Sequence, residues 1–168
     1  SMMYHAQQGL INSLLATIGL SRVAFLSDPN NALPAITLMS IWKDVGFSMI
    51  ILLAGMKGIP DVYYEAAMID GANRWTMFWH ITLPLLKRVM LFVVVTQTIG
   101  ALQVFTPIYA MTRGGPQDAT KAVVYYIYQL AFSFQDMGYA SAISIVVLVV
   151  ILVVSLVLMR LLRSDVEY

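Results

Sequence analysis

Residues 59–84 read Ile59-Pro60-Asp61-Val62-Tyr63-Tyr64-Glu65-Ala66-Ala67-Met68-Ile69-Asp70-Gly71-Ala72-Asn73-Arg74-Trp75-Thr76-Met77-Phe78-Trp79-His80-Ile81-Thr82-Leu83-Pro84. They form a polar and aromatic island between two long apolar runs. Asp61, Glu65, Asp70, Arg74 and His80 sit among the small residues Ala66, Ala67, Gly71 and Ala72. With the flanking runs in a bilayer, the island becomes the main soluble-facing surface, on which a partner can dock.

Composition supports that placement. Of 168 residues, 60% are hydrophobic and only 11% charged, and mean hydropathy is +0.77. A soluble domain carries about 25% charged residues, so the class is integral membrane; with the helical spans read below, the fold class is all-α. The net charge of +1 provides no field for nucleic acid. The absence of cysteine excludes a disulfide frame, a thiol nucleophile and thiolate metal sites. The apolar stretch at 10–20 is too short, and lacks the basic flank, for a signal peptide.

Working outward, residues 1–33 read as an extracytoplasmic amphipathic segment and loop. Leu10, Leu14 and Ile18 recur at helical spacing, Gly19 closes the helix, and Ser27-Asp28-Pro29-Asn30-Asn31 reads as a turn-rich loop. A first span is expected over 34–56, long enough for a membrane helix of about 20 residues. Lys43 and Asp44 interrupt it, at a cost of about 2.5–3.5 kcal/mol each at mid-depth. Two readings stay open. In one, Thr37, Ser40, Asp44 and Ser48 form a polar stripe facing protein or water. In the other, Trp42-Lys43-Asp44 lies near the outer interface.

A second span is expected over 89–111. Its Thr96, Gly100, Gln103 and Pro107 fall at i, i+4, i+7 and i+11, on one wettable stripe, and Pro107 with Gly100 invites a bend. Asp44, Thr96, Gly100 and Gln103 are therefore candidates for lining a translocation path, with helix-to-helix contact as the competing role. Residues 112–137 read as an extracytoplasmic turn, Thr112-Arg113-Gly114-Gly115-Pro116, then an interfacial helix over 117–134 with Tyr125, Tyr126 and Tyr128 at headgroup depth. A third span covers 138–163, with the small-residue pairs Gly138/Ala142 and Ala140/Ser144 at its start. Residues 164–168 form a tail.

Lysine and arginine set the orientation. The 57–88 loop carries Lys57, Arg74, Lys87 and Arg88, and the C-terminal end carries Arg160 and Arg163; the other side has Arg22, Arg113 and Lys121. Six against three puts the loop and the C-terminus in the cytoplasm. Three helices cannot wall a path alone, so the working unit needs further helices.

The island's own physics suggests two short helices. Pro60 and Asp61 suit the start of a helix running to about Ile69. Gly71 suits the left-handed position that ends it. A second helix over about 73–81 carries Trp75, Phe78 and Trp79, able to pack against the bundle, before Leu83-Pro84. The result is a rigid knob for a partner's cleft or a hairpin lying on the membrane; both remain open at this level.

The spacing Glu65-Ala66-Ala67, three residues, Gly71, nine residues, Ile81, one residue, Leu83-Pro84 resembles the EAA loop of ATP-binding-cassette importer permeases. Other stretches resemble the sugar-type branch, similar to the maltose and glycerol-phosphate permeases. They include Gly9-Leu10-Ile11-Asn12, Ile41-Trp42-Lys43, Leu53-Ala54-Gly55, Phe105-Thr106-Pro107-Ile108-Tyr109 and Phe134 through Ala142. The resemblance implies a MetI-like permease fold in the bacterial or archaeal cytoplasmic membrane. It implies that Glu65, Ala66, Ala67, Asp70, Gly71, Ile81, Leu83 and Pro84 form the coupling element that enters an ATPase subunit. Implied partners are ABC ATPase subunits, a second permease subunit, an extracytoplasmic solute-binding protein and lipid. Such permeases have six or more spans, so this chain resembles a carboxyl-terminal half.

No Gly-x-x-x-x-Gly-Lys-[Ser/Thr] stretch occurs, so ATP and magnesium are expected on the partner ATPase and no cofactor on this chain. His5 and His80 are isolated, without metal-ligand spacing. The chain reads as a non-enzyme. The favoured function is an importer permease, with sugar or oligosaccharide as solute by resemblance. Sugar-phosphate, polyamine and peptide importers share the loop. An ion-coupled transporter fragment using Lys43 and Asp44, or a membrane scaffold, are the readings from other classes.

Overall fold

A computed structural model describes residues 9–162. The readings that fall on His5, Arg163 and the tail lie outside these residues. The described chain is helical: α1 Leu10–Thr17, α2 Pro29–Lys57, α3 Val62–Ile69, α4 Arg74–Met77, α5 Leu83–Leu85, α6 Lys87–Leu102, α7 Thr106–Met111, α8 Val123–Tyr128 and α9 Met137–Leu162. Two π-helical turns, Phe78–Thr82 and Gln129–Ser133, follow α4 and α8. Two helices, α2 and α9, are long and apolar enough to cross a membrane. The pair Arg74–Leu85 and Lys87–Leu102, bent by 65°, qualifies as a third span if counted as one.

Two compact units divide the chain. Among the described residues, one gathers 9–43 with 102–149, the other 44–101 with 150–162.

In the first unit, the stretch expected to be a turn-rich loop is a helix start. Asp28 caps α2: its Oδ1 accepts from Asn30 N–H at 2.9 Å, its Oδ2 accepts from Asn31 Nδ2 at 3.0 Å, and Pro29 takes the first helical position. Asp-Pro is both a turn signal and a cap signal, and the apolar run behind it decides in favour of the cap. α2 therefore begins five residues before Pro34 and carries that proline inside it.

α1 ends as the sequence suggests. Gly19 has φ +79°, Gly19 N–H donates to Ala16 O, and Leu20 N–H donates to Leu15 O. Asn12, 1% exposed, then pins the following chain, donating to Val23 O at 2.8 Å and accepting from Val23 N–H at 2.9 Å.

The span expected over 89–111 is broken. α6 stops at Leu102 and α7 starts at Thr106. Pro107 explains the position: a continuous helix would drive its ring into the carbonyl of residue 103 and leave that acceptor unpaired. Beginning a new helix with Pro107 near its first position removes both problems. At 16 residues, α6 is about 24 Å long, short of the bilayer's hydrocarbon core of about 30 Å.

Ile36, Ile108 and Tyr125 form a buried cluster, with Val104, Phe105, Met111 and Tyr128 against it. Phe105, Tyr109, Tyr125 and Tyr128 pack ring on ring at centroid distances from 5.3 to 6.5 Å. The Tyr109 hydroxyl, by hydrogen bond and charge, pushes the Tyr128 pKa up from its ordinary value.

Residues 112–122, expected to be partly helical, are irregular but well bonded. Thr120 Oγ1 donates to Gly115 O at 2.7 Å and lies 2.7 Å from Thr112 Oγ1. At the start of α9, Ala140 is buried against Leu130 and Ala131, so one small-residue pair has its neighbour within the chain.

Candidate functional site: the loop between α2 and α6

The second unit holds the island and the helices that carry it. Gly55 on α2 faces Leu86 and Val89; a Cβ there would lie 2.9 Å from Val89 Cγ2 and 3.0 Å from Leu86 Cδ2. Only a residue without a side chain allows this approach. Further along, Gln97 Nε2 donates to Ser48 Oγ at 2.7 Å, and Ser48 Oγ donates to Asp44 O at 3.3 Å. Since Gly55 meets Val89 while Ser48 meets Gln97, α2 and α6 run antiparallel.

α3 begins at Val62, with Asp61 at the capping position and Pro60 just before it. Its end is a complete Schellman closure. Ala72 N–H donates to Ala67 O at 2.9 Å, Gly71 N–H donates to Met68 O at 3.1 Å, and Gly71 has φ +77°. Asp70 is the C-cap. The spacing from Ala67 to Gly71 is thus a hydrogen-bonding requirement of one turn. Asn73 starts the next helix, its Oδ1 accepting from Thr76 N–H at 2.9 Å.

α3 buries none of its residues. Glu65, Ala66 and Asp70 are exposed, Ala67 is half-buried, and Ile69 is 87% exposed with Val62 and Met68 beside it. This eight-residue element presents acid, small and apolar groups together to its surroundings. Ile81 and Leu83 are half-buried and Pro84 is exposed on the segment entering α6. Tyr64 Oη lies 2.9 Å from Thr82 Oγ1, and Thr82 is 4% exposed.

The aromatic residues depart from expectation. Trp75, Phe78 and Trp79 pack on one another, with centroids 5.6 to 6.1 Å apart, and all three remain exposed. His80 Nδ1–H donates to Thr76 O at 3.0 Å, which occupies one ring nitrogen in local structure. Among the described residues no group of three metal-ligating side chains comes together.

The candidate path residues do not form the expected stripe. Thr96 turns its hydroxyl onto Phe92 O and Val93 O of its own helix. Gly100 is exposed with open space where a Cβ would point, and Gln103 is exposed in the break between α6 and α7. Because α6 ends at Leu102, Gln103 and Pro107 leave the helical register that placed them with Thr96. Asp44 is half-buried, and its main-chain carbonyl accepts from Ser48. Gln97, one residue from the expected stripe, makes the contact across the helices.

Residues 8–168 match the model of the family described as "Binding-protein-dependent transport system inner membrane component". The chain is 39% identical over 161 residues to the sulfoquinovosyl glycerol transport system permease protein SmoG of Agrobacterium fabrum, covering 96% of this chain and 52% of that protein. It is 42% identical over 145 residues to the trehalose/maltose transport system permease protein MalF of Thermococcus litoralis, covering 86% and 49%. The crystal structure of a bacterial ABC transporter involved in import of the acidic polysaccharide alginate is similar at a TM-score of 0.87 and 31% identity. That match covers 99% of this chain and 58% of the solved one. The chain spans about half the length of the curated relatives it matches. The exposed α3, its Schellman closure and the apolar helices on either side thus sit in a known setting: this membrane-embedded chain belongs to the binding-protein-dependent transport system inner membrane component family.

Proposed function

We propose that this chain is part of the permease of an ATP-driven importer and that residues 59–84 receive the ATPase subunit. The observation that carries the proposal is α3, a turn-closed helix with no buried residue, offering Glu65, Ala66, Asp70 and Ile69 on a base built by Gly55, Leu86 and Val89. With only Tyr64 and Ala67 half-buried against the chain, α3 leaves most of its surface to a partner. Closure of two ATPase subunits displaces α3, and α6 passes the displacement to α2. A pre-existing equilibrium between outward and inward access then shifts by differential binding. ATP and its magnesium belong to the ATPase subunits.

The solute class is a sugar or oligosaccharide. The similarity to transporters of sulfoquinovosyl glycerol, of trehalose and maltose, and of alginate supports it. A second permease subunit completes the path. An extracytoplasmic solute-binding protein delivers the solute, as in the alginate transporter solved with its pentasaccharide-bound periplasmic protein. The loop and the C-terminus lie in the cytoplasm in this reading, which the basic residues Lys57, Arg74, Lys87 and Arg88 support.

Replacing Gly71 by tryptophan in the full importer tests the coupling role. The expected result is loss of uptake, with ATP hydrolysis no longer stimulated by the loaded binding protein. Uptake and stimulation at the unsubstituted level would refute it.

A further inference from the structure

Hydroxyl side chains on the helices of this chain commonly turn back onto their own backbone. Thr37 donates to Leu33 O, Thr98 to Val94 O, Ser141 to Met137 O and Ser144 to Ala140 O, each four residues back. Thr96 does the same. Thr82 departs from this habit. It is the last residue of the π-helical turn, it is 4% exposed, and its hydroxyl is directed at Tyr64 Oη, 18 residues earlier on α3. A π turn carries one extra residue per hydrogen-bonded loop and so re-aims the side chains around it.

The position of this bond matters for motion. Between Tyr64 and Thr82 the chain reverses through Gly71, Ala72 and Asn73, and Gly71 sits at φ +77° with no atom within 4 Å of where a Cβ would be. Backbone bonds close this turn, and no side chain packs across it at Gly71. Two residues after Pro84 comes Leu86, 5% exposed, whose Cδ2 crowds Gly55 of α2. The Tyr64–Thr82 bond therefore bypasses the turn and joins α3 to the residues that grip α2.

We propose that Tyr64 and Thr82 are positioning residues that make α3 and the entry to α6 move as one body, so that a push on α3 reaches α2 instead of being absorbed at Gly71. This rests on the coupling role of the loop and names the pair through which that coupling leaves it. Tyr64 and Thr82 need not touch the ATPase or the solute.

The test uses the assembled importer with its ATPase subunits, in lipid nanodiscs, with magnesium ATP and then vanadate as the probe. Because the chain has no cysteine, spin labels placed by Val62→Cys on α3 and Phe92→Cys on α6, both exposed, report one distance distribution. The expected result is a single narrow distribution, unchanged by nucleotide. Tyr64→Phe and Thr82→Val lose it, broadening or splitting on vanadate trapping, and the double variant adds nothing further because both remove the same bond. Thr82→Ser, which keeps the hydroxyl, restores the narrow distribution. Narrow, nucleotide-insensitive distributions in Tyr64→Phe and Thr82→Val would overturn the proposal. Should Tyr64→Phe fail to assemble, the two Thr82 variants decide, and equal broadening in Thr82→Ser and Thr82→Val would also overturn it. Failure of the coupling role itself looks different: the ATPase subunit would not co-purify with the unsubstituted chain.

Discussion

Gln97 donates from its side-chain amide to Ser48 Oγ at 2.7 Å, joining α6 to α2 across 49 residues of sequence. Ser48 in turn donates to Asp44 O, so the three groups form a short relay across a pair of largely apolar helices. In hydrocarbon surroundings, interhelical bonds of this kind contribute about 0.6 kcal/mol on average and up to about 1.7. Gln97→Ala and Ser48→Ala should each lower thermal stability in detergent or nanodiscs by an amount in that range. The double variant should cost no more than the worse single. Circular dichroism melts of the four proteins check this, and additive losses would show the contact to be inconsequential.

Gly55 and Gly100 make opposite predictions from the same substitution. A Cβ at Gly55 falls within 3.0 Å of Leu86 and Val89, whereas nothing lies within 4 Å of one at Gly100. Gly55→Ala should destabilise by about 1–3 kcal/mol through overpacking, and Val89→Ala should recover much of that loss. Gly100→Ala should leave the fold intact and favour α6 by up to about 1 kcal/mol. Melting temperatures of Gly55→Ala, Gly55→Ala/Val89→Ala and Gly100→Ala test the pair directly.

Asn12 is the polar side chain whose loss should be felt most in the first unit. Both ends of its amide bond the Val23 main chain, and the residue is 1% exposed. Asn12→Ala leaves the half-buried N–H and C=O of Val23 without these bonds, a loss of about 1 kcal/mol or more. Asn12→Asp should cost at least as much, since a carboxylate cannot donate to Val23 O. Limited proteolysis between α1 and α2 should show faster cleavage in both variants.

Much of this was legible in the residues themselves. Gly71 and Gly19 announced helix ends, because few residues other than glycine take a left-handed conformation cheaply, and both have positive φ. Pro107 announced a break, although the proline is seated inside the new helix and the break falls at the residue four positions earlier, where a continuous helix would clash. Asp28 was misread because Asp-Pro-Asn-Asn serves equally as a turn and as a cap. The stripe through Thr96, Gly100 and Gln103 assumed a helix that continues past Leu102, and it passed over Gln97 by one residue. Thr82 carried no signal at all: a threonine among apolar residues ordinarily bonds its own backbone, and only the folded loop turns it toward Tyr64.

The central claim is that α3 docks into an ATPase subunit, and cross-linking tests it most directly. Glu65→Cys and Ala66→Cys, exposed on α3 of an otherwise cysteine-free chain, should each form a bridge of a few ångströms to a cysteine placed in the cleft of the ATPase subunit. The yield should change between nucleotide-free and vanadate-trapped importer, while a control cysteine at Phe92, on α6, gives no product. Absence of the α3 product in both states, with the complex intact, would contradict the claim.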